Sequence, residues 1–360
     1  MHVGMSVIFQ GFEDPTRDRE VYASELALAD QAEGLGFDSI WAVEHHFTPY
    51  TMCPDPLQFL TYMAGRTKRV QLGSMVVVLP WHDPVRVAEH VTMLDVLSGG
   101  RFIFGMGRGL GRVEFGGFRV AMDESRSRFI ECATAVLEGL DRGYVEFKGE
   151  HFDIPRRNLR PAPIATFRGR TYAAAVSPES VKIMAELGVG LLIIPQKPWA
   201  QVSAELEEYR TQYRAIRGEE PPAPIVAAWM FVDNDVSRAR DMAHRYIGGY
   251  YETVMDHYEF ASGHLATQKG YEFYGKLTEN LDKHGPQGGI DFFTDLQVWG
   301  TPEMCLEKIE WIRSLTGAET FISVCSYAGM APAEADRNLK QVASDILPTL
   351  KTWSPALVGV

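Results

Sequence analysis

Cysteine is scarce in this sequence, basic charge is outweighed by acidic, and no long apolar run occurs. The four cysteines among 360 residues, Cys53, Cys132, Cys305 and Cys325, stand far apart and form neither a CxxC pair nor a Cys/His ligand spacing. That excludes a small disulfide-framed fold and a structural zinc site of ordinary spacing; the four read as reduced thiols used mostly for packing. Lysine and arginine total 35 against 47 aspartate and glutamate, a formal net charge of −12. No basic face is evident, so no nucleic-acid partner is expected, because phosphate neutralisation draws on clustered Lys and Arg. Nothing approaches the roughly 20 apolar residues that span a bilayer, and the opening MHVGMSVIFQ lacks the basic-then-apolar order of a secretion signal. The expectation is a cytoplasmic protein that uses no membrane and works on small molecules.

What is present is a 46% hydrophobic share, enough for a large core. Short β-rich apolar runs alternate with longer amphipathic stretches, the pattern of repeated βα units on a parallel sheet. Strands are expected near His2 to Phe9, Ser39 to Val43, Val70 to Leu79, Arg101 to Met106, Thr171 to Val176, Val189 to Ile194, Ile225 to Val232 and Thr320 to Cys325. Helical patterns run over Ala23 to Gly34, Val85 to Leu97, Met122 to Leu140, Ser180 to Leu187, Ala200 to Ile216 and Cys305 to Ser314. Eight such units close a sheet on itself without edges, so the expected fold is a TIM (β/α)8 barrel with insertions, one domain over 1–360. The insertions fall at about 143–168 and 256–300. In the first, Tyr144 to Ile154 (YVEFKGEHFDI) reads as a hairpin turning near Lys148 and Gly149. The second is long and rich in Tyr, Phe and Gly; it is a candidate lid, or equally an insertion packed on the barrel's outside.

In such a barrel the residues that follow the strands gather at one rim. The second strand runs into Glu44-His45-His46-Phe47, where adjacent side chains alternate in direction, so one histidine at most enters the barrel mouth; His45 is the expected one. An imidazole there suits a general base or hydrogen-bond partner. A packed histidine pair is the plainer reading, and no third ligand at a recognisable spacing supports a metal. The fourth strand ends in Gly105-Met106-Gly107-Arg108-Gly109-Leu110-Gly111. Its glycines allow close backbone approach and Arg108 offers a planar cation for a phosphate, although Leu110 stands where a dinucleotide fingerprint needs its last Gly. The fifth strand meets Ser177-Pro178-Glu179-Ser180, a cap followed by Pro at the first helical position, and helix starts of this kind attract phosphate.

Together, EHHF at 44–47, the LP…DPVR…E…LD…SGGRF run from Leu79 to Phe102, FGMGRGL at 104–110 and AVSPES at 175–180 resemble the bacterial luciferase family of flavin-dependent monooxygenases. The Gly300-Thr301-Pro302-Glu303 helix start and the pattern from Gly329 to Pro348 extend the resemblance across nearly the whole chain; the middle of the second insertion matches least. The resemblance implies that His45 is the active-site histidine and that Arg108, the Leu110 amide, Ser177 and Ser180 hold the flavin phosphate. It also implies that Met75 and Val76 form a non-prolyl cis peptide under the flavin ring, and that Glu114 is an acidic residue near the site. Two positions depart from the light-emitting enzyme: Gly107 replaces its reactive cysteine and Val176 a phosphate-site glutamate.

The chemistry implied is that of reduced FMN delivered by a separate flavin reductase, since the chain has no nicotinamide fingerprint. With O2 it gives a C4a-peroxyflavin that oxygenates a small apolar substrate such as an aldehyde or ketone, in an enzyme that is a homodimer by analogy. Two alternatives stay open: an F420-dependent oxidoreductase on the same barrel, from which the EHHF strand end looks more distant, and a catalytically silent flavin-binding protein.

Overall fold

A computed structural model describes residues 1–12, 14–174, 178–271 and 274–354. Eight parallel strands, β1 (His2–Val7), β2 (Ser39–Ala42), β3 (Gln71–Ser74), β4 (Phe102–Gly107), β5 (Thr171–Ala174), β6 (Gly190–Ile193), β7 (Ile225–Val232) and β8 (Thr320–Val324), follow one another around a ring. The ring closes where β8 lies beside β1, with Met5 opposite Ser323. The expected (β/α)8 barrel is therefore the observed fold, with the hairpin Tyr144–Lys148 and Asp153–Asn158 outside it. A short strand, Val298–Gly300, also extends the sheet beside β7.

Trp41 fills the barrel axis. It is fully buried with Ile103, Leu192, Ile225 and Ile322, and its indole N–H donates to Ser39 Oγ at 2.7 Å. A Cβ on Gly73 would come within 2.2 Å of the Trp41 ring, so a bare glycine on β3 is what admits so large a side chain. A second, larger apolar layer lies between the strands and the surrounding helices. Aspartates set several helix starts: Asp55 accepts from Gln58 N and Asp83 from Val85 N, each ahead of a proline at the first helical position.

The structure corrects one expectation and adds two features. The run Val70 to Leu79 is not one strand. β3 stops at Ser74, the Met75–Val76 peptide is cis, and Val77–Val78 rejoins the sheet beside Met106 and Gly107. Ser74 Oγ ends the ladder by donating to Gly105 O at 2.9 Å and accepting from Gly105 N at 2.8 Å. Next, the segment 256–300 is largely helix, Gly275–Leu296, kinked at Gly285, with 3-10 turns at Phe260–Ser262 and His264–Ala266 before it. The Gly-Pro pair at 285–286 breaks the helical period in the sequence, and Gly285 takes a φ of 71° that a side chain would resist. Last, helices Pro56–Arg66, Arg112–Phe118, Val236–His257 and Pro332–Gln341 were not anticipated.

The glycines of β4 serve strand packing. A Cβ on Gly105 would stand 1.9 Å from the Ser74 carbonyl oxygen, which is backbone and cannot move aside. Gly105→Ala is expected to destabilise the protein by about 3 kcal/mol, read as a lowered urea midpoint. An unchanged midpoint would show that the β3–β4 join is looser than this geometry.

Candidate active site

Seven of the eight residues singled out in the sequence, His45, Met75, Val76, Arg108, Leu110, Glu114 and Ser180, line one cavity at the carboxyl ends of the strands. Ser177, with Val176, lies outside the described residues. The cavity encloses about 1190 Å³ counted to its mouth. It runs from a cationic end at Arg108 to an imidazole end at His45, with the cis Met75–Val76 peptide between them on the β3 side.

At the imidazole end the two adjacent histidines diverge. His45 lines the cavity, whereas His46 is buried between Trp81 and Phe118, with ring centroids 5.4 and 4.6 Å away. Glu114, wholly buried on the helix Arg112–Phe118, ties both together: its Oε1 faces His45 Nδ1 at 3.0 Å and accepts from His46 N at 2.9 Å. Burial pushes the Glu114 carboxyl up, but the imidazoles of His45 and His257 beside it outweigh that and hold the group at about 2. An ionised carboxylate only accepts, so the His45 proton sits on Nδ1 and Nε2 is the ring's remaining acceptor. His257, at the end of the helix Val236–His257, faces Glu114 Oε2 at 3.5 Å, an electrostatic contact rather than a full hydrogen bond. Its Nδ1 lies 2.8 Å from Thr48 Oγ1, and burial pulls the imidazole below its ordinary value despite the carboxylate beside it. The fold thus supplies the third metal-type ligand that sequence spacing did not offer: donor atoms of His45, Glu114 and His257 all lie within 4.8 Å of one another.

A second carboxylate cluster secures the strand ends beneath. Glu44 Oε1 lies 3.1 Å from His46 Nε2 and 2.7 Å from His82 Nε2, and its Oε2 accepts from Val78 N at 2.7 Å. Burial alone would raise the Glu44 carboxyl, and the two imidazoles bring it below its ordinary value. For His82, burial lowers the imidazole and Glu44 raises it, with Glu44 prevailing. A folded value above the unfolded one means that this pair's contribution is complete below about pH 6.5 and is lost as pH rises through the folded value. The stability advantage of the native chain over His82→Gln is expected to shrink between about pH 6 and pH 9. Urea midpoints across that range check it; a constant or growing gap refutes the pairing.

At the other end Arg108 stacks over Tyr271, its Cζ 4.0 Å from the ring centroid. Tyr271 is locked beneath it, its hydroxyl donating to Gly109 O at 2.9 Å. Arg108 Nη1 is buried with no partner among the described residues. An unpaired buried guanidinium nitrogen is costly unless an anion meets it. Arg126 lines the same end and donates to Glu179 at 3.0 Å, close to the start of the helix Pro178–Leu187 that carries Ser180. Two guanidinium groups beside a helix start can pair with an anionic group.

A second cavity, of about 890 Å³ counted to its mouth, adjoins the first and shares His45, Met75, Ile194, Gln196 and Tyr258 with it. Apart from Thr51, its other walls are apolar and aromatic, Trp229, Tyr250 and Phe293 among them.

The sequence pattern of luciferase-like monooxygenases matches residues 1–319. The chain belongs to that family. The alkanal monooxygenase alpha chain of Photorhabdus luminescens is 27% identical over 345 residues, covering 94% of this chain and 95% of that one. Monooxygenase RslO1 from Streptomyces bottropensis superposes with a TM-score of 0.78 at 26% identity, over 97% of this chain and 99% of the other. The FMN complex of the oxygenating constituent of 3,6-diketocamphane monooxygenase from Pseudomonas putida shares the fold at a TM-score of 0.72 and 16% identity, over 97% and 98%. An F420-dependent secondary alcohol dehydrogenase, solved with an F420-acetone adduct, does so with the same figures.

Within this family the present chain has no room for a cysteine at position 107, because a Cβ on Gly107 would lie 2.2 Å from Val76 Cγ2. Sequence reasoning passed over four residues of the cluster. Arg126 and His257 lie on helices far along the chain from the motifs they join, and nothing in their local sequence marks them. Glu44 and His82 did carry a signal, since one flanks His45 and the other follows the kinked end of β3. Of the aromatic residues in the segment 256–300, Tyr258, Phe260, Tyr274, Phe292 and Phe293 line the cavities. Tyr271 instead supports Arg108, and Phe273 lies outside the described residues.

Proposed function

We propose that this chain is the oxygenating component of a two-component FMN-dependent monooxygenase. Reduced FMN, supplied by a separate flavin reductase, occupies the first cavity, and a small organic substrate occupies the second. Bound reduced FMN supplies two electrons and activates O2, one atom of which enters the substrate while the other leaves as water. The observation that carries this reading is the buried Nη1 of Arg108, without a partner among the described residues, with Arg126 beside it, in the same cavity as His45. Arg108, Arg126 and Ser180 hold the phosphate, with Ser177 assigned there by resemblance. The Leu110 amide joins them at the phosphate, Met75 and Val76 border the ring, and His45, positioned by Glu114, accepts or returns a proton at Nε2 where oxygen and substrate meet. The apolar walls limit water at that junction.

Relatives of this chain are alkanal monooxygenases, and one protein of the same fold was solved with FMN. The same fold also serves an F420-dependent dehydrogenase. Two guanidinium groups suit the dianionic terminal phosphate of FMN better than the monoanionic diester of F420. As part of this reading the enzyme works in the cytoplasm as a homodimer, with 256–300 as the cover of its site. The test is titration with FMN and F420, followed by turnover with photoreduced FMN under 18O2. Oxygen-dependent product carrying one labelled atom is expected. Turnover with reduced F420 alone would reassign the chemistry to hydride transfer, and tight flavin binding without turnover on any substrate would mark a silent binder.

A further inference from the structure

We infer that the substrate is an uncharged, planar aromatic compound that carries an acceptor oxygen met by the indole N–H of Trp229. This rests on the reading of the first cavity as the flavin site.

More rings than branched aliphatics wall the second cavity: Tyr50, Trp229, Tyr250, Tyr251, Tyr258 and Phe293 all line it, with Ile and Val side chains between them. The rings brace one another. Trp229 and Tyr250 lie 4.3 Å apart between centroids, and Tyr251 and Phe293 stack at 4.9 Å and 23°. A fixed ring wall favours a flat aromatic guest twice over. Offset and edge-to-face contacts add to the area buried, and a rigid guest loses little rotamer freedom, whereas an alkyl chain gains no quadrupole contact and must be ordered bond by bond.

Charge and hydrogen bonding narrow the guest further. Among the described residues no Asp, Glu, Lys or Arg lines this cavity, so an ionised guest would be desolvated without a counter-charge. The Tyr50 and Tyr250 hydroxyls are committed to each other at 2.6 Å. Trp229 Nε1 and Thr51 Oγ1, by contrast, are buried with no partner among the described residues, in side chains 6% and 2% exposed. An indole N–H donates only, so a guest that pairs with it accepts, through a carbonyl, ether or phenol oxygen. His45, Met75 and Tyr258 border both cavities, so a ring edge in the second cavity meets the flavin slot in the first.

Three ten-carbon probes separate these demands by isothermal titration calorimetry of the full chain: 1-tetralone, which has ring and carbonyl, tetralin, which has the ring alone, and 2-decanone, which has the carbonyl on an alkyl chain. 1-Tetralone is expected to bind about tenfold more tightly than either other probe. Trp229→Phe should remove the gap between 1-tetralone and tetralin, and Thr51→Val should leave most of it. Equal or tighter binding of 2-decanone overturns the aromatic assignment. A Trp229→Phe chain that is folded by circular dichroism and still prefers 1-tetralone about tenfold overturns the role of the indole; should that variant not fold, the native ranking of the three probes decides alone. Each titration is made without flavin and repeated with oxidised FMN. Failure of FMN to bind strikes the flavin reading and leaves the ring preference readable. FMN binding together with a preference for 2-decanone sinks this inference and leaves the flavin reading intact.

Discussion

Arg108→Met is expected to weaken FMN binding about a hundredfold or more while shifting the urea midpoint only slightly. The size follows from charge-assisted hydrogen bonds to a phosphate, each contributing about 1.5–3 kcal/mol in a cavity where water competes poorly. The small effect on stability follows from the flavin-free geometry. Arg108 Nη1 has no partner to lose among the described residues, and methionine keeps an apolar contact with the Tyr271 ring that now lies 4.0 Å beneath the guanidinium. Removing a guanidinium whose Nη1 is buried without a partner among the described residues can even raise stability slightly. Arg108→Lys should fall between, because a point charge cannot present the planar fork. Arg126→Met should cost less affinity, since Arg126 is 30% exposed and already donates to Glu179. Quenching of FMN fluorescence on titration reads the affinities. A Kd for Arg108→Met within about threefold of the native value would remove Arg108 from the phosphate site.

Which parts of this site could be read from the sequence follows from how local each signal is. The barrel was legible because its signal is repeated: each βα unit states the same period change, and an error at one boundary is corrected by the next. β7 came out with its boundaries intact, Ile225–Val232, because all its residues are buried and no glycine or proline interrupts them. β3 did not, because Val77 and Val78 continue the apolar run past the point where Ser74 replaces the ladder bonds with its own side chain. Arg108 was legible because the glycines around it stand in the same seven residues as the strand that delivers it. Arg126 and His257 were not: each reaches the site from a helix whose period is set by packing, and convergence over such separations has no sequence signature. The kinked helix Gly275–Leu296 failed for the opposite reason, since a local break at Gly285 and Pro286 outweighed a helical pattern on both sides. The polar side of the second cavity was equally hidden, because the missing partner of Trp229 Nε1 exists only once its neighbours are placed.

Glu114→Gln is expected to lower kcat about a hundredfold while leaving FMN affinity within about threefold. Glutamine keeps the shape and one carbonyl oxygen, so the 2.9 Å bond from His46 N and the 3.0 Å contact with His45 Nδ1 can both persist. What it removes is the charge that holds the His45 proton on Nδ1 and compensates a proton arriving at Nε2. His45→Ala should cost more, about 10²- to 10⁴-fold, and the double variant no more than His45→Ala alone, because the carboxylate acts only through the imidazole. Stability separates this role from a packing one. The Glu114 carboxyl stands at about 2 in the folded chain against an ordinary 4.5, so its contribution is complete above the ordinary value and is lost as pH falls toward 2. The linkage amounts to about 3 kcal/mol at most, and the stability gap between native protein and Glu114→Gln should close over that acid range. If turnover stays at the native rate while the gap closes as stated, Glu114 secures the fold and takes no part in the chemistry. If turnover drops and the double variant is worse than His45→Ala by a further large factor, the carboxylate reaches the reacting atoms without the histidine between them.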